Sequence, residues 1–414
     1  MTGIANPEML TMAREVRGKT QTQLARESGV GQTKISRYEG GLAEIDAEDL
    51  RIIAEELEFP EEFFFQSGQR YGAESTEVFH RRRRTVAARE IRRIDGLVNL
   101  HRIGCERLLQ GFEQVGSLAV PSLSTRDFDT IDDIAYATRN FWNIPAGPVK
   151  NLVARLERAS CLVFSIDFKI DKIDEVVQWI PPSPPIILLN SSAPADRVRL
   201  SLAHALGHLV MHRNELPYKE MEHEANRFAA AFLMPENDII DMLKPVTIQH
   251  MLELKQYWKV SMQALIVRAK DLEVISERRY TSLFQQLSRF GYRKREPHPI
   301  NPESPQLVKS LLDKYRIELG YTDEELARLL RVRIKDLYEW YYPDRKVVDF
   351  KEAKVSERQK PGTKPRRPGE YIERGPRGGK VPRPRIVTIE PGDSPLPPTQ
   401  KPGRTWERKG PAKR

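Results

Sequence analysis

The sequence has few cysteines and no long apolar segment, and each of these absences makes certain classes of protein unlikely. Cys105 and Cys161 are far apart and form no C-x-x-C pair, so neither a disulfide framework nor a cysteine-based zinc site is expected. No run of 18 apolar residues exists, and residues 1–10 lack the regions of a secretion signal. We therefore expect a cytoplasmic protein without membrane contact, in which histidines and carboxylates hold any metal.

Charge and turn-forming residues are unevenly distributed. The chain has 414 residues and a net charge of +9, yet residues 351–414 alone hold 18 Lys and Arg against 7 Asp and Glu. This segment also contains 12 Pro and 8 Gly, roughly the fraction at which a chain fails to build a core. We predict a disordered basic tail over 351–414.

The periodicity of apolar residues divides the rest of the chain and predicts an α+β multidomain protein. Three β-rich runs, at 162–166, 176–180 and 186–190, indicate a small sheet, and helical patterns dominate elsewhere. The predicted segments are an all-helical domain over 1–68, a helical linker over 69–125, an α+β domain over 126–300 and a helical module over 301–350.

Two helices with a tight turn between them are predicted near the N-terminus. Thr20 suits a helix N-cap, Leu24 faces inward, and Gly29 permits the left-handed turn of a helix-turn-helix. The second helix would run from about 32 to 38, with Ile35 and Tyr38 inward. Its solvent face would carry polar side chains that can reach bases and phosphates, namely Gln32, Thr33, Lys34, Ser36 and Arg37.

Over residues 8–65 the sequence resembles the Xre/Cro class of repressor domains. The resemblance implies that Gln21 and Gln32 lie near DNA and that Thr33, Ser36 and Arg37 contact it. It also implies operator-like sites read by a homodimer, because one such domain binds weakly. Gly31 departs from the class, which often has a Ser cap there. The alternative is a helical domain that meets only protein.

The first helix-turn-helix has a weaker second copy. Five residues of the first copy recur in the second with the same spacing. They are Thr20, Leu24, Ala25, Arg26 and Val30 in the first copy, and Thr322, Leu326, Ala327, Arg328 and Val332 in the second. The second copy has Arg in place of the turn glycine, and the helix after it is acidic and aromatic. It is either a packing module or a second nucleic-acid-binding element.

A histidine pair gives the strongest chemical signal. His204 and His208 stand four residues apart on a predicted helix, so both imidazoles can face one ion, for which Zn²⁺ is the default. Glu222, at the start of a later helix, is the predicted third ligand, whereas Glu224 would point elsewhere by about 200°. His212 follows one turn after His208, where it would either contact a metal ligand and orient it or be a fourth ligand itself.

Three patterns are found in this part of the chain: His-x-Leu-Gly-His, the later Glu-x-Glu-Ala-Asn-x-Phe-Ala, and Phe-Leu-Met-Pro. Together they resemble the ImmA/IrrE zinc metallo-endopeptidases. The resemblance spans about 130–300 and implies a zincin-like α+β peptidase fold, with zinc on His204, His208 and Glu222. It also makes position 205 that of the general-base glutamate. Because Ala205 stands there, we expect a catalytically impaired chain, whether as a natural pseudoenzyme or by deliberate replacement.

Two functions from different classes follow. In the first, a DNA-binding regulator carries a zinc endopeptidase that cleaves a protein partner, and the resemblance suggests a repressor, an antitoxin or a defence component. In the second, a non-catalytic repressor or antitoxin uses the zinc fold to bind protein. A nucleic-acid hydrolase is disfavoured, because the carboxylate cluster of two-metal chemistry is missing.

The tail leaves three hypotheses open. It contains scattered apolar anchors that end in Trp406, so it could fold on a partner or enter the peptidase groove. It could instead be a basic arm that adds affinity for nucleic acid, or a dispensable extension.

Overall fold

The computed structural model describes most of the chain. The described residues are 4–71, 78–82, 86–110, 116–213, 219–342, 358–365, 367–376, 378–391, 393 and 395–411, with the backbone alone described for 78–82.

The N-terminal domain is all-helical, as the sequence predicts. Its elements are α1 (Pro7–Val16), α2 (Gln21–Ser28), α3 (Gln32–Glu39), α4 (Ala47–Glu56) and a 3₁₀ helix (Glu61–Phe65). Thr20 and Gln23 form a reciprocal capping box at the start of α2. Gly29 ends α2 at a φ of 77°, a left-handed conformation that favours glycine. The predicted helix-turn-helix is therefore present.

The linker predicted over 69–125 contains the expected helix and also a strand. The helix α5 (Ala88–Leu109) buries Ile94, Leu97 and Val98, whereas β1 (Val78–Arg82) precedes it. β1 was not predicted, because its sequence, Val-Phe-His-Arg-Arg, has no alternation of apolar and polar residues and continues into a basic run. Such charged segments are common at sheet edges, where they discourage pairing with other chains.

A four-stranded sheet lies at the centre of the described chain. Its strands are β1, β2 (Leu162–Ile166), β3 (Ile173–Gln178) and β4 (Ile186–Asn190), in the order β1-β3-β4-β2. β2 is parallel to β4, whereas β3 is antiparallel to both β1 and β4. The three strands expected from the sequence are all present, with β3 starting three residues early.

Helices surround this sheet and complete the α+β domain. They are α6 (Ile131–Phe141), α7 (Leu152–Arg158), α8 (Ala195–Met211), α9 (Met221–Leu233), α10 (Glu236–Ile239), α11 (Ile248–Trp258), α12 (Met262–Asp271) and α13 (Glu277–Arg289). None of the described helices is both long and apolar enough to cross a membrane.

The sheet separates two hydrophobic cores, because successive side chains of a strand point to opposite faces. In β2, Phe164 joins a core shared with the N-terminal domain and α5, whereas Val163 joins the core beneath α8 and α9. In β4, Leu188 and Leu189 divide in the same way. The sheet thereby connects the N-terminal helical domain to the histidine-bearing helix.

The repeated motif forms a second helix-turn-helix that packs into the first core. Its helices are α14 (Leu307–Ile317), α15 (Asp323–Leu330) and α16 (Ile334–Tyr341). Arg331 takes the left-handed turn position at a φ of 54°, as Gly29 does in the first copy. In α16, Leu337, Tyr338 and Trp340 are buried.

The prediction of a disordered tail over 351–414 is wrong for the part of it that the structure describes, whereas residues 351–357 and 412–414 lie outside the described residues. Residues 358–410 contain a second sheet of β5 (Arg358–Gln359), β6 (Gly369–Arg374), β7 (Ile386–Ile389) and β8 (Thr405–Gly410), in the order β5-β8-β6-β7. Its small core is Tyr371, Ile389, Leu396 and Trp406. Average composition predicted too little apolar surface, whereas in the structure four apolar residues pack together and internal ion pairs join the strands and loops.

Candidate metal centre and nucleic-acid interface

The apolar residues of the helix that carries the histidine pair anchor this helix in the core. α8 follows Pro194, which suits a helix start, and packs Leu202 and Leu206 into the core beneath the sheet. Gly207 allows α9 to approach closely: a Cβ there would lie 3.1 Å from Phe228 Cδ1 and 3.3 Å from Ala225 Cα. This contact places the first turn of α9 opposite the histidines.

Three side chains converge where α8 and α9 meet. His204 Nε2 and His208 Nε2 are 3.0 Å apart, and the carboxylate of Glu222 lies 3.5 Å from His204 and 3.3 Å from His208. Two ligands at roughly 2.0–2.1 Å from a tetrahedral zinc lie about 3.3 Å apart, so the arrangement fits zinc closely. These three residues form a group of possible metal ligands among the described residues.

The centre is buried on one side and open on the other. The two imidazoles are 1% exposed, whereas the side chain of Glu222 is 57% exposed. An ion at this position would therefore face solvent through the Glu222 side. Zinc enzymes need such an open position for water or substrate.

Behind the histidine pair, His212 extends the cluster by one helical turn. His212 Nδ1 lies 2.9 Å from His208 Nδ1, and His212 Nε2 lies 2.8 Å from Glu224 Oε2. Burial lowers the pKa of His212, and the neighbouring His208 lowers it further, while Glu224 opposes both effects. The contact between Glu224 and His212 was not anticipated, because helical spacing alone places Glu224 only relative to its own helix.

Ala205 offers no acid or base at the position next to His204. It is fully buried in the core beneath the sheet. A methyl group cannot exchange a proton, so the described centre has ligand-type residues without a general base at this position.

The second candidate site is the exposed face of α3. Its residues Gln32, Thr33, Lys34, Ser36 and Arg37 are all exposed, as a surface that contacts DNA must be. Ile35 and Tyr38 are buried, as the sequence predicts. The start of α3 at Gly31 has no side-chain cap.

Contacts between side chains organise this face. Gln32 donates a hydrogen bond of 3.1 Å to Gln21, and Gln21 donates one of 2.9 Å to Glu39. Lys34 Nζ lies 3.0 Å from Asp49, so part of its charge is already balanced within the domain. Gln21 thus lies beside the exposed face of α3.

The corresponding face of the second copy is covered in part: two of its five positions are buried, and three, Ile334, Lys335 and Glu339, are exposed. With the two copies aligned at Thr20 and Thr322, Lys34 corresponds to Asp336 and Ser36 to Tyr338. Asp336 is 1% exposed and Tyr338 is 5% exposed. Of the two alternatives from the sequence, this burial favours the packing module.

Comparison with known families gives matches to three segments of the chain. Residues 10–64 match a helix-turn-helix family, and residues 156–270 match the peptidase family described as the IrrE N-terminal-like domain. Residues 355–408 match a family described as YjzC-like protein. Neither a curated protein nor a solved structure gives a significant match. The chain thus joins a helix-turn-helix domain to an IrrE-like peptidase domain, in that order.

Proposed function

We propose that the chain is a DNA-binding transcriptional regulator whose peptidase domain is built to cleave a protein partner, and that Ala205 impairs cleavage in this chain. The observation that carries the proposal is the convergence of His204, His208 and Glu222 within reach of one ion. Its fusion to an N-terminal helix-turn-helix domain supports a role at DNA, and in this proposal the protein acts in the cytoplasm.

The residues of the centre fit a bound zinc ion. In this proposal His204 and His208 bind through their Nε2 atoms and Glu222 binds through a carboxylate oxygen. Bound zinc would polarise a peptide carbonyl and lower the pKa of a water molecule. His212 and Glu224 would hold the ring of His208 in the orientation that metal binding requires.

Ala205 is the reason to expect little cleavage. A general base at this position would take the proton from water and later pass it to the leaving amine. Loss of such a group typically lowers the rate by a factor on the order of 10²–10⁴. Metal binding should persist, because no ligand is removed.

The protein substrate would be a repressor, an antitoxin or a defence component that meets the regulator at an operator. Cleavage at that place would relieve repression. A homodimer would place two α3 helices in successive major-groove segments, about 34–36 Å apart.

One observation favours the alternative of a non-catalytic repressor or antitoxin. Position 205, where a peptidase of this kind needs a general base, carries a fully buried alanine that cannot exchange a proton. In this alternative the zinc fold binds a protein without cutting it.

The deciding experiment combines metal content with cleavage. The parent and Ala205→Glu proteins are purified, their zinc content is measured, and each is co-expressed with candidate partners. About one zinc per chain, with cleavage only in Ala205→Glu, supports the peptidase proposal. Zinc without cleavage in either form supports the binding module, and absence of zinc from both overturns the assignment of the centre.

A further inference from the structure

The N-terminal domain has a negative net charge, which is unfavourable for binding a polyanion. Residues 1–68 contain 7 Lys and Arg against 13 Asp and Glu, a net charge of −6. On α3 the two cations are Lys34 and Arg37, and Lys34 is paired with Asp49. Duplex DNA carries one negative charge per about 1.7 Å of its axis, and proteins gain most non-specific affinity by neutralising phosphates. The domain itself therefore supplies few cations for contact with phosphates.

The C-terminal sheet has the opposite charge. Residues 358–410 contain 14 Lys and Arg against 5 Asp and Glu, a net charge of +9. Nine of these cations are exposed among the described side chains. They are Arg358, Lys360, Lys364, Arg367, Lys380, Arg383, Arg385, Lys401 and Lys409.

Two of the five acidic residues of this segment, Glu373 and Glu407, serve its structure. Glu373 is fully buried and accepts hydrogen bonds from the side chain of Arg404, at 3.0 Å, and from backbone amides. Glu407 is paired with Arg374. The cations in these pairs are partly buried, whereas seven of the nine exposed cations lie in loops and the other two, Arg358 and Lys409, lie in strands. The exposed charge is thus largely separate from the charge that stabilises the fold.

Contacts fix the sheet to the DNA-binding half of the molecule. Arg408 Nη1 lies 3.1 Å from both carboxylate oxygens of Glu325 in α15, and its other nitrogens donate to Pro368 and Gly320. The module that contains α15 is joined in turn to α1 through Arg17 and Asp336. A polyanion bound to the sheet is therefore held near the helix-turn-helix domain.

The positions of the aromatic residues indicate which nucleic acid fits. Tyr371 and Trp406 are fully buried. Proteins that grip single strands stack unpaired bases on exposed aromatic rings, and the described part of this sheet presents none. Exposed cations without stacking rings suit the phosphate backbone of a duplex.

We propose that the C-terminal sheet binds the phosphate backbone of duplex DNA and supplies electrostatic affinity that the acidic N-terminal domain lacks. This inference rests on the proposed DNA-binding function. It assigns sequence selection to α3 and sequence-independent affinity to the sheet. An arm that enters the peptidase groove is disfavoured, because the sheet is folded against α15.

The test measures the salt dependence of DNA binding by the full-length chain. A labelled duplex of about 30 base pairs, without operator sequence, is titrated at several salt concentrations. The basic-sheet variant carries Lys360→Gln, Lys380→Gln, Arg383→Gln and Lys401→Gln. The slope of log K against log salt should become shallower by roughly 0.9 for each phosphate that the sheet no longer neutralises, and by at most about 3.6.

A second variant controls for net charge. It carries the same number of neutralised exposed cations in the peptidase region, at Arg278, Arg289, Lys294 and Arg295, each replaced by Gln. Its slope should stay within about 0.5 of the parent's, which is less than the effect of one neutralised phosphate. Equal slopes for the two variants would overturn the inference. Thermal melts of all three proteins check that the exposed substitutions leave the fold intact.

Selection from a randomised duplex pool separates this inference from the proposed function. Arg37→Ala should lose sequence selection, whereas the basic-sheet variant should retain it. If Arg37→Ala loses selection and the basic-sheet variant keeps the parent's slope, the operator function stands and the sheet assignment fails. If the parent selects no sequence yet the basic-sheet variant loses salt sensitivity, the sheet assignment stands and the operator function fails.

Discussion

Arg17 and Asp336 form a two-point ion pair between the two helix-turn-helix copies. Arg17 Nη1 lies 3.0 Å from Oδ1 and Nη2 lies 2.7 Å from Oδ2, and the guanidinium also stands over the rings of Phe59 and Trp340. Asp336 occupies the position that Lys34 has in the first copy. A residue position that faces solvent in one copy has thus become the contact that joins the copies.

Removing one partner of this pair should destabilise the N-terminal half. The side chain of Asp336 is 1% exposed, and Asp336→Ala leaves the Arg17 guanidinium without its carboxylate. We expect a decrease of about 3 kcal/mol in the free energy of unfolding, because a half-removed buried pair is costly. Urea unfolding measures this decrease. The double variant Arg17→Met, Asp336→Ala should be destabilised by less than the sum of the single variants. Additive effects, within about 0.5 kcal/mol, would contradict the coupling.

Glu222 should be required for metal binding, whereas its neighbour His223 should not. Both are exposed on the first turn of α9, but only Glu222 reaches His204 and His208. Zinc content should fall from about one per chain towards zero in Glu222→Ala. His223→Ala should keep the parent's content, although histidine is itself a good ligand. An equal decrease in both variants would show that α9 is perturbed as a whole.

His212 is expected to act as a positioning residue through His208. It touches His208 on one side and Glu224 on the other. Removal of such a partner typically weakens metal affinity about 10–100-fold. We therefore expect His212→Gln and Glu224→Gln to bind zinc more weakly in competition with a chelator, yet to reach full stoichiometry at saturating zinc. A stoichiometry that stays low at saturation would make His212 a ligand.

The sequence predicts more of the candidate centre than of its surroundings. His204 and His208 follow from the four-residue helical spacing, and Glu222 from its place at the start of a helix. Spacing within one helix does not determine how two helices face each other, so the approach of α9 at Gly207 was not foreseeable. The contact between Glu224 and His212 depends on that approach.

DNA binding should depend on α3 and not on α16. Arg37 is exposed on α3, whereas Lys335 on α16 is 61% exposed but pairs with Glu58. Arg37→Ala should weaken binding to a selected duplex by about 1–3 kcal/mol if it contacts a base. Lys335→Ala, the matched control, should bind like the parent. Fluorescence anisotropy at fixed salt compares the two, and a comparable weakening in Lys335→Ala would make the second copy a DNA contact.

The fold was predictable where the pattern is local and strong. Thr20 and Gly29 mark the ends of α2 by capping and turn chemistry that act within a few residues. The tail was mispredicted because its core comes from residues far apart in sequence, such as Tyr371 and Trp406. Composition averages cannot detect this kind of long-range pairing. The edge strand β1 was missed because it too pairs with a strand far away in sequence, β3.

Glu373 should make the C-terminal sheet sensitive to acid. Its burial disfavours the charged form, but hydrogen bonds from the amides of Gln400 and Arg385 and from the Arg404 side chain outweigh this effect and lower its pKa below 4.5. Because the folded state holds the lower pKa, the stabilisation is present above about pH 4.5 and is lost as the pH falls through the folded value.

The measurement follows thermal unfolding between about pH 3 and pH 7. Glu373→Gln should lower the melting temperature of the sheet at pH 7 and flatten its dependence on pH, because the titrating group is gone. Comparison with Trp406→Phe identifies the fluorescence change that belongs to the sheet, since Trp406 is fully buried there. Glu390→Gln, an exposed acid in the same sheet, should behave like the parent. A steep acid transition that survives in Glu373→Gln would assign the sensitivity to another carboxylate.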